Sequence, residues 1–147
     1  MKRNRIKAIR HTGIVVSNLK KALYFYRDLL GLKVIKRMCE SGDYIDNILT
    51  LKDVKVTTVK MAAEDGNLIE LLFFHSHPRN ISNRKKIYDI GISHVAFTVN
   101  NLDAEYKRLS ELGIQFNLLP QISPDGYAKV AFCVDPDRNS IELVEVL

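Results

Sequence analysis

The chain has 147 residues, of which 46% are hydrophobic and 27% charged, and 22 basic against 17 acidic side chains leave a net charge of +5. That length supplies one hydrophobic core and that composition belongs to an ordinary globular domain, while no apolar run approaches the ~20 residues that a membrane-spanning helix requires. The basic start, "MKRNRIKAIRH", has no apolar stretch of signal-peptide character behind it, so the expected location is the cytoplasm, with no membrane partner.

The positive charge favours anionic partners. It is concentrated at Lys2, Arg3, Arg5 and Lys7 and again at Arg84, Lys85 and Lys86. Neither cluster interleaves aromatics or carries a nucleic-acid motif, so a small anionic substrate is expected and nucleic acid is not. A solvated basic surface is the plainer account of both clusters. Cys39 and Cys133 have no CxxC spacing and are expected to be reduced thiols filling core space.

In chain order, "RHTGIVVSNL" (10–19) alternates apolar and small residues as a strand does, with His11 at its head. Leu19, Ala22, Leu23, Tyr26, Leu29 and Leu30 then recur at helical spacing, with Asn18 as N-cap and Gly31 just past the end. "LKVIKRM" reads as a strand. "SGDYIDNILTL" spaces Tyr44, Ile45, Ile48 and Leu49 as a short helix or turn, and strands follow at "VKVTTVKM" (54–61) and "LIELLFF" (68–74). Residues 76–91 form a polar, basic connector.

The sentence is then written again. "SHVAFTVNNL" (93–102) begins with His94. Leu102, Tyr106, Leu109 and Leu112 form a helical stripe between Asn101 and Gly113, followed by "IQFNLL", "YAKVAFCV" (127–134) and "SIELVEV" (140–146). The chain is therefore expected to be one domain built from two repeats, about 8–75 and 92–147, each a strand, a helix and three strands. Each repeat's open sheet needs a partner, within the chain or across a dimer.

On each leading strand the histidine shares a face with small residues: His11 with Gly13, Val15 and Ser17, and His94 with Ala96 and Thr98. Both closing strands hold an Ile-Glu-Leu core, with Glu70 in one and Glu142 in the other. A carboxylate among aliphatic neighbours is expensive unless a cation or hydrogen bond neutralises it. Taken singly, such a histidine is usually hydrogen-bonded or exposed and such a glutamate usually solvated. Their recurrence at equivalent positions points instead to His11, Glu70, His94 and Glu142 sharing one divalent ion, for which Zn, Ni, Co, Fe and Mn are all acceptable. His75 and His77 ("HSH") lack partnering ligands and are not expected to bind a metal.

The stretches "HTGIVVSNLKKALYFYRDLLGLKVI", "NLIELLFF", "ISHVAFTVNNLDAEYKRLSELGI" and "AFCVDPDRNSIELVEV" resemble the vicinal oxygen chelate superfamily, which includes glyoxalase I, methylmalonyl-CoA epimerase, fosfomycin-resistance proteins and extradiol dioxygenases. The resemblance implies an α+β fold of two βαβββ modules forming a cupped, mostly antiparallel mixed sheet, and a homodimer. It maps the family's metal positions onto His11, Glu70, His94 and Glu142. It implies a metal-dependent isomerase, epimerase or lyase of the glyoxalase I (lactoylglutathione lyase) type, shifting a proton beside a metal-bound carbonyl or enediolate oxygen. Glu142 would be the mobile base and Glu70 its counterpart, and the substrate an anionic carbonyl compound or thioester.

A methylmalonyl-CoA epimerase-like reaction would use a separate carboxylate, from Glu40, Asp43 or Asp46. Val15 and Phe74 stand where glyoxalase I commonly has Arg and Asn, which puts glutathione specificity in doubt. Arg138 stands where a turn glycine is common, and either Asn139 takes the left-handed position or Arg138 faces an anion. The rivals are a non-haem Fe(II) dioxygenase and a non-catalytic small-molecule-binding protein of the bleomycin-resistance type.

Overall fold

A computed structural model describes residues 6–77 and 86–147. Lys2, Arg3 and Arg5 of the tail, and Pro78, Arg84 and Lys85 of the connector, lie outside those residues. The chain divides into two units, 1–80 and 81–147.

In the first unit β1 (Thr12–Val15) leads into α1 (Leu19–Leu23), followed by β2 (Lys33–Ser41), α2 (Asp43–Leu49), β3 (Lys55–Ala62) and β4 (Leu68–Phe74). The strands lie in the order β1-β4-β3-β2, with β1 parallel to β4 and the other pairs antiparallel. The alternation read from the sequence holds. Ile14, Val16, Val59, Met61, Ile69 and Leu71 are buried on one face together with Ala22, Leu23, Phe25, Tyr26 and Leu29 of the helical segment. The opposite face carries His11 and Glu70. At one end α2 covers this second face, with Ile45 buried against Val54 and Val56 and with Leu49, Leu72 and Phe74 packed around them.

The first helix departs from expectation. Asn18 caps it, the Lys21 amide donating to Asn18 Oδ1 at 3.0 Å, but Tyr24–Leu29 wind as a π-helix. The Leu30 amide accordingly reaches five residues back, to the Phe25 carbonyl at 3.0 Å. The wider turn accommodates two adjacent buried aromatics, Phe25 and Tyr26, whose rings meet edge to face at 4.9 Å. Gly31, at φ +79°, ends the segment in the left-handed conformation that glycine adopts without penalty.

In the second unit β5 (His94–Thr98), α3 (Leu102–Glu111), β6 (Gln121–Ile122), β7 (Ala128–Val134) and β8 (Ser140–Val146) form the sheet β5-β8-β7-β6, again with a parallel first pair. Asn101 caps α3 through the Ala104 amide at 2.9 Å. Leu102 and Leu109 are fully buried, but Leu112 is exposed, because the helix has already ended and Gly113 turns the chain away. The strand expected at "IQFNLL" is absent. Only Phe116 makes a bridge, to Cys133, and pairing resumes at Gln121, past Pro120, which has no amide to give a ladder. Both units are nonetheless βαβββ modules, and the fold is α+β.

Arg138, not Asn139, takes the left-handed conformation, at φ +67°. Asn139 is committed elsewhere: its amide and side chain both donate to the buried Asp135 carboxylate, at 2.8 and 2.9 Å. Cys133 is fully buried, and that burial, helped by the charge of Asp135, pushes its thiol pKa up to about 12. Cys39 does not fill core space; it is exposed on the edge strand β2. At pH 8 a disulfide reagent should therefore titrate one thiol rapidly and the second only on unfolding, since reactivity follows the accessible thiolate. Rapid reaction of a Cys39→Ser chain would contradict that assignment.

Candidate metal centre

In the first unit, His11 Nε2 lies 2.8 Å from Glu70 Oε2. The register explains the meeting. Glu70 pairs with Gly13 across the parallel β1–β4 ladder, and His11, two residues earlier, projects from the same face. Gly13 puts no side chain between them. The pair is largely enclosed, with the Glu70 side chain 12% and the His11 side chain 30% exposed.

The second unit repeats this geometry. His94 Nε2 lies 3.0 Å from Glu142 Oε2, Glu142 pairs with Ala96 across the parallel β5–β8 ladder, and His94 is again two residues before the glutamate's partner. The two surroundings differ. Opposite Glu70 on β3 stands Lys60, its Nζ 3.9 Å from Glu70 Oε1. The corresponding residue opposite Glu142 on β7 is Phe132, whose ring meets His94 edge to face at 5.2 Å.

These donors fit a cation. A ring nitrogen and a carboxylate oxygen at such distances attract only with a proton or a positive ion between them. Ser93 Oγ lies 2.8 Å from His94 Nδ1, an outer partner of the kind that turns Nε2 of a ligating histidine toward its metal. His11 Nδ1 is buried with no hydrogen-bond partner, and this ring too meets its glutamate through Nε2. Each pair supplies one nitrogen and one oxygen donor. Among the described residues no group of three or more His, Cys, Asp or Glu side chains gathers at one point.

The other candidates separate cleanly. Asp46 is a structural staple, accepting the Asp53 and Val54 amides at 2.9 and 2.8 Å. Asp43 is exposed in the first turn of α2. Glu40 pairs with Val56 and accepts from Thr58 Oγ1 at 3.2 Å, which places it on the face that carries Glu70. His75 Nε2 lies 2.8 Å from Thr57 Oγ1 of β3, and His77 Nδ1 2.8 Å from the adjacent Ser76 Oγ. Val15 is exposed on the His11 face of β1, and Phe74 packs beneath α2. Lys60, Ser93 and Phe132 are neighbours that the sequence did not single out. The lone lysine in "VTTVKM" was the available signal for the first.

A family model described as "Glyoxalase/Bleomycin resistance protein/Dioxygenase superfamily" matches residues 8–143. Uncharacterized protein YwkD of Bacillus subtilis is 28% identical over 95% of this chain and 98% of its own length. The lactoylglutathione lyase of Neisseria meningitidis serogroup A is 29% identical over 92% of this chain and 88% of its own. The crystal structure of a glyoxalase family protein from Bacillus cereus superposes with a TM-score of 0.89 at 24% identity, covering 100% of this chain and 99% of that one. With nearly its whole length matched by the family model and its fold shared, this chain belongs to the glyoxalase/bleomycin resistance/dioxygenase, or vicinal oxygen chelate, superfamily.

Proposed function

We propose that the chain is a metal-dependent isomerase, epimerase or lyase of the glyoxalase I (lactoylglutathione lyase) type, which moves a proton at the carbon beside a carbonyl. The observation that carries this reading is the duplicated pair: a histidine two residues before the register partner of a half-buried glutamate, once in each unit. His11, Glu70, His94 and Glu142 together would hold one divalent ion, Zn, Ni, Co, Mn or Fe, with the two pairs supplied by one chain or by two chains of a cytoplasmic homodimer.

When bound, that ion supplies Lewis-acid polarisation of the substrate oxygen, worth several kcal/mol. The chain's own carboxylates move the proton. Each glutamate has a histidine beside it, but Glu142 is the acceptor, because its cross-strand neighbour is the uncharged Phe132, whereas Glu70 stands opposite the cation Lys60. A positioned carboxylate contributes typically 10²–10⁴-fold in such a transfer. Val15, exposed, and Phe74, packed beneath α2, are apolar where glyoxalase I commonly carries Arg and Asn, which favours a substrate other than a glutathione adduct.

Glu40 supports a second reading, an epimerase-like reaction on an acyl thioester. It stands on the Glu70 face with its carboxylate oriented by Thr58. Solvent-deuterium incorporation into a panel of α-hydroxythiohemiacetals and acyl-CoA thioesters, with and without chelator, tests both. Chelator-sensitive exchange in the first class supports the glyoxalase-like reaction, and exchange only in the second supports the epimerase. Catechol cleavage by iron-loaded protein would overturn both, as would a purified protein that binds no stoichiometric metal.

A further inference from the structure

We propose that Lys60 and Lys36 form an oxyanion-binding arm beside the His11–Glu70 pair, and that the substrate carries a carboxylate or phosphate group next to its reacting carbonyl. The inference deepens the function proposed above and rests on it for the identity of the reacting centre, though the arm itself does not.

The register places Lys36 directly opposite Lys60 and Lys60 directly opposite Glu70, so one row across the sheet runs Glu70, Lys60, Lys36 on a single face. Like charges directly opposite on adjacent strands are destabilising. Among the described residues no carboxylate within ion-pair distance accompanies Lys36, and the contact of Lys60 with Glu70, at 3.9 Å, is a loose one. Glu70's closer partner is His11.

The backbone makes an adjustment to achieve this row. Lys33 pairs with Ala62 and Val34 with Met61, after which the register shifts and Lys36 pairs with Lys60. Had the register run on unshifted, Ile35 would stand opposite Lys60, and Lys36 would pair with Val59 and point to the opposite face. Bulges that re-aim a side chain are common beside active sites.

Lysines on an edge strand also protect against edge-to-edge aggregation, which would account for Lys36 alone. That explanation fails for Lys60. It lies on β3, an interior strand, with its side chain only 27% exposed. Strands lie about 4.8 Å apart, so an anion shared by the two ammonium groups would sit roughly 5–10 Å from Glu70, the span of a small bifunctional acid.

The test is calorimetric titration of metal-free protein at low ionic strength with inorganic phosphate and, separately, malonate. Wild type should bind one or both saturably. Lys36→Met/Lys60→Met should weaken that binding at least about tenfold, while Lys60→Arg and the distant Lys20→Met stay within about twofold. Lys36→Met alone, at an exposed position, guards against a folding artefact. Preference between the probes distinguishes phosphate from carboxylate. Absent saturable binding, an unchanged double variant, or an equal loss in Lys20→Met would overturn the arm. Metal content, measured on the same samples after loading, reports separately on the four-ligand reading.

Discussion

Glu142→Gln lowers solvent-deuterium exchange into the best panel substrate by about 10²–10⁴-fold, the contribution of a positioned acid–base group. The substitution keeps the shape of the side chain and removes the anion. Because Glu142 sits in β8 between the buried Ile141 and Leu143, the strand should fold unchanged. Glu70→Gln and His94→Ala act differently. All three remove a donor from the four-ligand set, but these two leave the proposed base in place. Their rate should fall only in proportion to metal occupancy, read by elemental analysis, whereas Glu142→Gln should lose more rate than its metal content accounts for. A Glu142→Gln chain with full activity and full metal content would remove the basis of the mechanism.

The same variants decide where the centre forms. If the pairs come from two chains, co-refolded Glu70→Gln and His94→Ala chains regain activity, because one centre of each mixed dimer is intact. If both pairs come from one chain, the mixture stays inactive.

Leu71→Ala destabilises the protein by about 2–5 kcal/mol, the range for truncating a fully buried leucine, and lowers Tm by roughly 4–20 °C. Leu71 is fully buried and pairs in register with Ile14 on one side and Val59 on the other. It occupies the face opposite to its neighbour Glu70, so the cavity opens toward the helical segment. Urea unfolding measures the loss, and metal content at low temperature should be unaffected. A loss below about 1 kcal/mol would mean that this position tolerates collapse or lies outside the core.

The contrast between Glu70→Gln and Leu71→Ala, at adjacent positions of β4, rests on the strand's two-residue period. That period was legible from the residue order alone. "LIELLFF" and "SIELVEV" occupy β4 and β8 over the very ranges expected. Asn18 and Asn101 cap their helices as their chemistry requires. The His–Glu pairs were also foreseeable, because a duplicated pattern carries long-range information that no single segment holds.

Other features were not legible. The π-helical turns depend on two adjacent aromatics being buried together, which a helical stripe does not specify. The broken strand after Gly113 depends on whether Phe116 finds a continuous partner. The left-handed residue at 138 follows from Asn139 being engaged by Asp135.

The residue order by itself determined the α+β class, the duplication, the caps and which face of each strand is polar, because these follow from backbone sterics and local periodicity. Only the tertiary structure decided which side chains stand opposite one another across strands: Lys60 against Glu70, Phe132 against Glu142, and Lys36 swung into line by a bulge. Strand register is set by pairing between distant segments, and one residue of slip reverses every side chain.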